Sequence, residues 1–374
     1  MTDVVSHVPP SAGQELVQLL TPEGLRVHRD DYDVDLSDEE LRGLYRDLAL
    51  ARRLDVEAVA LQRQGELGLW PSLLGQEAAQ VGSGRAMAAD DYAFPTYREH
   101  GVALTRDVDP LKLLAFYRGV TNGGWDPNEK NFAIYTIVIG NQCLHAVGYA
   151  MGVNFDHARS GEADESQAVI AYFGDGASSQ GDVNEAFIWA SVFNAPVVFF
   201  CQNNQWAISE PLEKQTKIPL YQRAQGFGFP GLRVDGNDVL AVLAVTKAAL
   251  RRARQGAGPM LIEAYTYRMG AHTTSDDPTR YRLASELEHW KLKDPIERVR
   301  SYLFRNEKAD QAFFDAIEAE AEQMAVRLRA ECRALPDPDP TSIFDHVYAE
   351  QHALVDEERA SMAAYLDSFV GASH

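Results

Sequence analysis

Two apolar runs separated by one helix-length segment, each ending in a polar residue able to hold a ligand, constrain this chain more than any other feature. Residues 168–209 read AVIAYFGDGASSQGDVNEAFIWASVFNAPVVFFCQNNQWAIS. The run Ala168–Phe173 is continuously apolar, the pattern of a strand buried on both faces in a parallel sheet. Strands that alternate with helices of this length predict an α/β fold, a doubly wound, mostly parallel sheet flanked by helices. Asp175 ends the first run and Asn204 the second, so a carboxylate and an amide oxygen meet at the carboxyl edge of the sheet, where such folds bind ligands. Gly174 and Gly176 let the backbone turn sharply and approach a ligand closely. A helix beginning near Asp182 would offer free N–H groups to an anion. Two hard oxygen ligands plus a backbone carbonyl suit a magnesium ion holding a diphosphate. The competing reading, a Gly turn and an Asn turn with no metal, does not explain why both occur within one strand–helix–strand frame.

The rest of the chain predicts further elements. Ser37 and Glu40 form a capping box that opens a long helix with apolar residues from Leu41 to Leu61 on one face, ending near Gly65. Gly75-Gln76-Glu77-Ala78 opens a second helix of small residues. Asp91–Gly101 reads as a loop, and so does Val120–Phe132. Ile134–Ile139 reads as a strand, followed by a helix from Gln142 to Val153 and a polar, acidic stretch over 156–167. Val17–Leu20 predicts a short strand within an extended arm lying on another element or subunit. Leu232–Val234 and Met260–Tyr265 predict strands on either side of a helix from Val239 to Gln255, with Asp238 as its N-cap. The pattern is helical from Ser285 to Cys332, and one amphipathic helix follows the proline-rich break at 336–340. The expected organisation is an arm (1–36), a ligand-binding domain (37–335) and a C-terminal extension (336–374).

A net charge of −20 disfavours nucleic acid and anionic membrane, which reward Lys and Arg. Three scattered cysteines do not form a disulfide framework. The opening MTDVVSHVPPSAGQE is polar, and no apolar stretch approaches the ~20 residues needed to cross a bilayer. The expectation is a cytoplasmic soluble protein. Gly226–Gly231 fits GxGxxG but precedes a strand-like LRV rather than a helix, so it does not read as a dinucleotide site.

GDG followed by NN resembles the thiamine-diphosphate signature. GDGASSQGDVNEAF and CQNNQWAIS are more closely similar to the alpha subunit of the first, decarboxylating component of 2-oxoacid dehydrogenase complexes. GQEAAQVGSG, PTYREHG, the helix through Gln142–Gly148, VDGND and YRMGAHTTSDD fall in the family's order, from about Gln18 to Ala349. The resemblance implies thiamine diphosphate and Mg2+ as cofactors. By the same resemblance Asp175, Asn204 and the Trp206 carbonyl are the metal ligands. Tyr97 and Arg98 hold the diphosphate, while Gly174, Gly176, Ala177 and Ile208 line the diphosphate and the middle of the cofactor. Ile139 touches the aminopyrimidine through its backbone. His272 is the catalytic histidine of the active-site loop, with Arg268 and Asp276 as structural members of that loop. Leu69 and Trp70 stand where relatives shape the substrate pocket, and core packing explains them equally well. His100 and His145 receive no role.

Departures limit what carries over. Gln202 stands where some relatives place a basic residue, Thr273 where animal mitochondrial relatives carry a regulatory phosphoserine, and Ile137, Gly140 and Asn141 differ from the potassium-site pattern. The reaction implied is oxidative decarboxylation of a 2-oxo acid, with acyl transfer to the lipoyl group of a transacylase component. In the family the glutamate that faces the aminopyrimidine lies on a beta subunit, so the expected assembly is an α2β2 heterotetramer with the site shared between subunits. The LVQLLTPEG arm and the FDHVY tail look more like branched-chain relatives (2-oxoisovalerate) than pyruvate ones. Pyruvate is the main rival substrate, followed by acetoin cleavage and a cofactor-free scaffold role.

Overall fold

A computed structural model describes residues 16–160 and 167–369. Six strands form one sheet: β1 (Leu16–Val17), β2 (Tyr92–Phe94), β3 (Val169–Gly174), β4 (Val197–Asn203), β7 (Gly231–Asp235) and β8 (Met260–Tyr265). Between β4 and β7 the two-residue strands β5 (Trp206–Ala207) and β6 (Glu210–Pro211) pair as a separate antiparallel ribbon. The main sheet runs β1-β7-β8-β4-β3-β2, and every neighbouring pair in it is parallel.

Alternation along the central strands places a core on each face. Ile170, Tyr172, Val198 and Phe200 face one cluster, which includes the helices Asp38–Arg63, Glu77–Ala86 and Val239–Arg254. Val169, Ala171, Phe173, Val197, Phe199 and Cys201 face the other, with Asn141–Ser160 and Gly181–Val192. Every residue of β4 is buried, as expected of a strand covered on both sides. Small residues in Glu77–Ala86 permit close helix packing: a Cβ at Gly82 would lie 2.8 Å from a Val242 methyl.

The predicted capping box is present, with Ser37 Oγ accepting from the Glu40 N–H at 3.2 Å and Glu40 Oε2 accepting from the Ser37 N–H at 2.8 Å. Asp238 caps its own helix through Leu240 and Ala241, and its other oxygen accepts from the N–H groups of Leu19 and Leu20 at 2.7 and 2.5 Å. That second role docks residues 16–20 of the arm onto the chain's own sheet, with the strand at Leu16–Val17. Residues 1–15 of the arm and 161–166 of the acidic stretch lie outside the described residues.

Two segments differ from expectation. Ile134–Ile139 is not a strand: it runs irregularly and leaves Ile134, Ile137, Val138 and Ile139 exposed. β-branched composition records a preference for a half-buried pleated surface, and the chain meets the edge strand β2 only at the single Ala93–Phe132 bridge before this segment begins. Conversely the loop expected at Asp91–Gly101 contains β2, whose three residues pair with β3. Pro95 ends that strand immediately, which hides it from a composition-based reading. The C-terminal helix Ala353–Asp367 forms as expected but buries none of its residues.

Candidate functional site

The carboxyl ends of β3 and β4 border a cavity of about 240 Å³. Tyr97 and Arg98 reach it from the loop after β2, and Ile139 from the turn before Asn141–Ser160. Gly174, Asp175, Gly176 and Ala177 come from the end of β3, with Asn204, Trp206 and Ile208 from the end of β4. His272 comes from the loop after β8. Every residue singled out from the sequence as a cofactor or metal contact therefore lines one space.

The GDG and NN turns touch each other. A Cβ at Gly176 would lie 2.7 Å from the Ala207 Cβ, so a side chain there would push the turns apart. After Asp175 the chain enters a short 3-10 turn, Gly176–Ser179, and the long helix starts at Gly181. That turn, not the N-terminus of the long helix, borders the cavity, which corrects the anion-binding role expected of the helix near Asp182.

At the metal end, Asp175 is 1% exposed. Among the described residues its one side-chain donor is Gln215, whose Nε2 reaches Oδ2 at 3.1 Å. Among the described residues no cationic group lies within ion-pairing distance of it, and burial pushes its carboxyl up to about 6. Asn204 Nδ2 donates to Gln76 Oε1 at 3.1 Å, while its Oδ1 accepts from the Trp206 N–H at 3.3 Å. The Trp206 carbonyl accepts from Arg268 Nη1 at 3.1 Å and keeps a second lone pair. Ile208 has φ +55°, an unfavourable value for a β-branched residue, and its carbonyl accepts from Arg268 Nη2 at 2.7 Å.

Arg98 and Arg268 are both buried and, among the described residues, neither has a carboxylate within ion-pairing distance. Arg98 donates to the carbonyls of Ser72 (2.5 Å) and His272 (2.8 Å) and lies 3.3 Å from His272 Nδ1. Arg268 lies 3.5 Å from the same nitrogen. Burial and the Arg98 charge push the Arg268 guanidinium down to about 10. Burial and both guanidiniums push His272 down to about 3. Because arginine only donates, Nδ1 faces donors and the proton of the neutral ring belongs on Nε2. Asp276 accepts from the His272 N–H at 2.8 Å and also from the Tyr281 hydroxyl, which in turn accepts from Arg268.

Other lining residues carry weaker signals in the sequence. Glu99 follows Arg98 directly; both its oxygens are engaged, by Thr96 and by Gln202 Nε2 at 2.6 Å. Gln202 thus serves an internal network with Gln80 in place of a basic residue. Gln76 stands inside the GQEA motif, whereas nothing in the sequence marks Gln215. The alternatives for Leu69 and Trp70 separate. Trp70 is core: its indole stacks on His100 with centroids 4.1 Å apart and donates to Asp55 at 2.7 Å. Leu69 lines a second, mostly apolar pocket with Phe116, Tyr117, Ile137, Ile139 and His272. No helix among the described residues is long and apolar enough to cross a membrane.

Fold and site define a doubly wound α/β protein in which a buried carboxylate, Asp175, and a buried guanidinium, Arg98, line one cavity at the strand ends, with a second buried guanidinium, Arg268, bonded to the lining carbonyls of Trp206 and Ile208. The profile of the family described as "Dehydrogenase E1 component" matches residues 45–340, and the chain belongs to that family. It is 45% identical over 357 residues, 95% of each chain, to a 3-methyl-2-oxobutanoate dehydrogenase subunit alpha of Mycobacterium tuberculosis (strain ATCC 25618 / H37Rv). It is 41% identical over 297 residues, 77% of this chain and 76% of the relative, to a pyruvate dehydrogenase E1 component subunit alpha of Staphylococcus aureus (strain Mu50 / ATCC 700699).

Proposed function

We propose that this chain is the alpha subunit of a thiamine-diphosphate-dependent branched-chain 2-oxoacid dehydrogenase, which decarboxylates substrates such as 2-oxoisovalerate and passes the acyl group to a lipoyl-bearing transacylase. The observation that carries this reading is the unbalanced buried charge around one cavity. Among the described residues Asp175 has no cation within ion-pairing distance, and neither Arg98 nor Arg268 has a carboxylate within that distance. Unpaired buried charge is costly, and a magnesium diphosphate neutralises both ends at once.

Asp175, Asn204 Oδ1 and the Trp206 carbonyl would hold the metal. Tyr97 and Arg98 would hold the diphosphate beside the Gly174–Ala177 turn, with Ile208 and Ile139 against the middle and pyrimidine portions. The bound thiamine ring would supply the electron sink for loss of carbon dioxide. His272, kept neutral by burial and two guanidiniums, presents an Nε2–H to an entering oxo acid or lipoyl group. Residues 37–335 would form the cofactor-binding unit.

Both oxygens of Glu99 are committed inside the chain, which supports an acid for the aminopyrimidine supplied from elsewhere. A beta subunit in an α2β2 assembly would bring it. Ile188, Trp189, Val192 and Phe193 are exposed at the end of one helix, and Ile137 and Val138 at the cavity rim, where a partner would cover them. The apolar pocket holding Leu69 and Phe116 suits a branched aliphatic side chain, and the match to the mycobacterial relative spans more of the chain than the match to the pyruvate-type one.

The test is a substrate panel on the reconstituted alpha–beta assembly: 2-oxoisovalerate, 2-oxo-4-methylvalerate and pyruvate, compared by kcat/KM. Preference for pyruvate would replace the substrate assignment. No thermal shift on adding thiamine diphosphate and Mg2+ would favour a scaffold role instead.

A further inference from the structure

Gln76 has no role in the assignments above, yet its side chain touches Asn204 at the metal end of the cavity and carries an unused donor. It is 1% exposed, lines the cavity, and stands at the N-cap of Glu77–Ala86 without capping it. Its backbone is pinned on both sides: its N–H donates to the Leu73 carbonyl at 2.8 Å, and its carbonyl accepts from the Gln80 N–H at 3.1 Å. Gly75 before it has φ +93°, and a Cβ there would overlap the Tyr267 carbonyl, so the approach to Gln76 is fixed by tertiary packing.

The amide orientations form a chain with one consistent solution. The Trp206 N–H points at the Asn204 side chain, so Asn204 must present Oδ1 to it. Asn204 Nδ2 then faces Gln76, which must answer with Oε1. Turning Gln76 over would set two NH2 groups against each other, and turning Asn204 as well would set its NH2 against the Trp206 N–H. The consequence is that Gln76 Nε2, a buried donor, has no hydrogen-bond partner among the described residues. A buried unpaired amide is unfavourable and calls for a partner.

We infer that Gln76 is a positioning residue of the metal–diphosphate site: its Oε1 holds the Asn204 amide so that Oδ1 remains available to the cation, and its free N–H is completed by an oxygen of the bound group. The inference rests on the cofactor reading above.

Three variants of the alpha–beta assembly test it: Q76M, of similar shape without polar atoms; Q76E, which keeps an acceptor for Asn204 but replaces the N–H with a charged oxygen; and D175N as a control for the reading itself. Thiamine diphosphate is titrated calorimetrically at fixed Mg2+, Mg2+ is titrated at fixed thiamine diphosphate, and each cofactor-free assembly is melted. Q76M is expected to weaken thiamine diphosphate binding about 10-fold and to raise the Mg2+ needed for half-saturation. Q76E, carrying a like charge toward a diphosphate, is expected to weaken binding at least as much, while its cofactor-free Tm stays near that of the wild type. A merely structural role would lower the cofactor-free Tm without moving the Mg2+ requirement. Wild-type affinity in Q76M and Q76E alongside lost binding in D175N would overturn the inference and leave the cofactor reading standing. Normal binding in D175N would overturn both. Should Q76M fail to assemble, Q76E decides, because it retains the Asn204 contact.

Discussion

Arg98 and His272 lie 174 positions apart in sequence, and the guanidinium of one donates to the carbonyl of the other at 2.8 Å while facing its Nδ1 at 3.3 Å. This contact makes the loop after β8 part of the same site as the loop after β2. It also adds to burial in keeping the histidine neutral, because a fixed positive charge beside the ring opposes a second one.

Removing that charge should be visible directly. In Arg98→Gln the His272 imidazole, pushed down to about 3 by burial and two guanidiniums, loses one of those guanidiniums, so its pKa should rise. Imidazole proton chemical shifts followed from pH 4 to 8 on a histidine-labelled chain would report it. An unchanged titration would mean that desolvation alone accounts for the neutral ring. Binding of thiamine diphosphate should weaken by about 10- to 100-fold in the same variant, since a buried charge-assisted bond is lost.

Asp175 gives a pH prediction with a definite sign. Its carboxyl is raised from an ordinary 3.8 to about 6, so the folded cofactor-free chain holds that proton more tightly than the unfolded chain does. Its ionisation therefore opposes folding: the cost is absent below about pH 4, grows as pH rises to 6, and is complete above it. A shift of this size corresponds to ~3 kcal/mol at most. In the cofactor-free state Asp175→Asn should exceed the wild type in Tm at pH 7.5, and the gap should close as pH falls toward 4. With Mg2+ and thiamine diphosphate the order should reverse, because the variant loses a buried charged partner and about 10²- to 10³-fold in affinity.

Ile208 stores strain that serves the site. A residue with φ +55° and a β-branched side chain costs ~1–3 kcal/mol relative to a relaxed conformation. Ile208→Gly should raise the Tm of the cofactor-free chain, and should lower kcat/KM of the loaded assembly because the apolar side chain facing the cavity is gone. A simultaneous loss of both would show that the side chain supports the fold instead.

Val192 is 74% exposed at the end of Gly181–Val192, so its replacement should leave the isolated chain intact. Val192→Glu is expected to block assembly with a beta subunit, read as lost co-elution and a smaller mass by light scattering, while the circular dichroism spectrum and Tm of the chain alone are unchanged. Retained assembly would move the interface away from this helix.

The long periodic elements are legible in the amino-acid sequence itself. Helix Asp38–Arg63 follows from its capping box and apolar face, and β3 and β4 from runs with no polar interruption, because local chemistry alone selects those conformations. The short β2 and the irregular Ile134–Ile139 segment depart from the sequence expectation for one reason: strand formation in a few residues depends on whether a neighbouring edge is available.

The same division holds within the site. Asp175 and Asn204 can be named from sequence because each ends an apolar run, and Arg98 and His272 because they sit in recognisable motifs. What the tertiary structure decided is how these groups are charged and oriented. Burial raises Asp175, burial and two guanidiniums keep His272 neutral, and a single Trp206 N–H fixes the amides of Asn204 and Gln76. Protonation and amide orientation depend on desolvation and on donors arriving from distant parts of the chain, and neither is encoded in the residue that carries them.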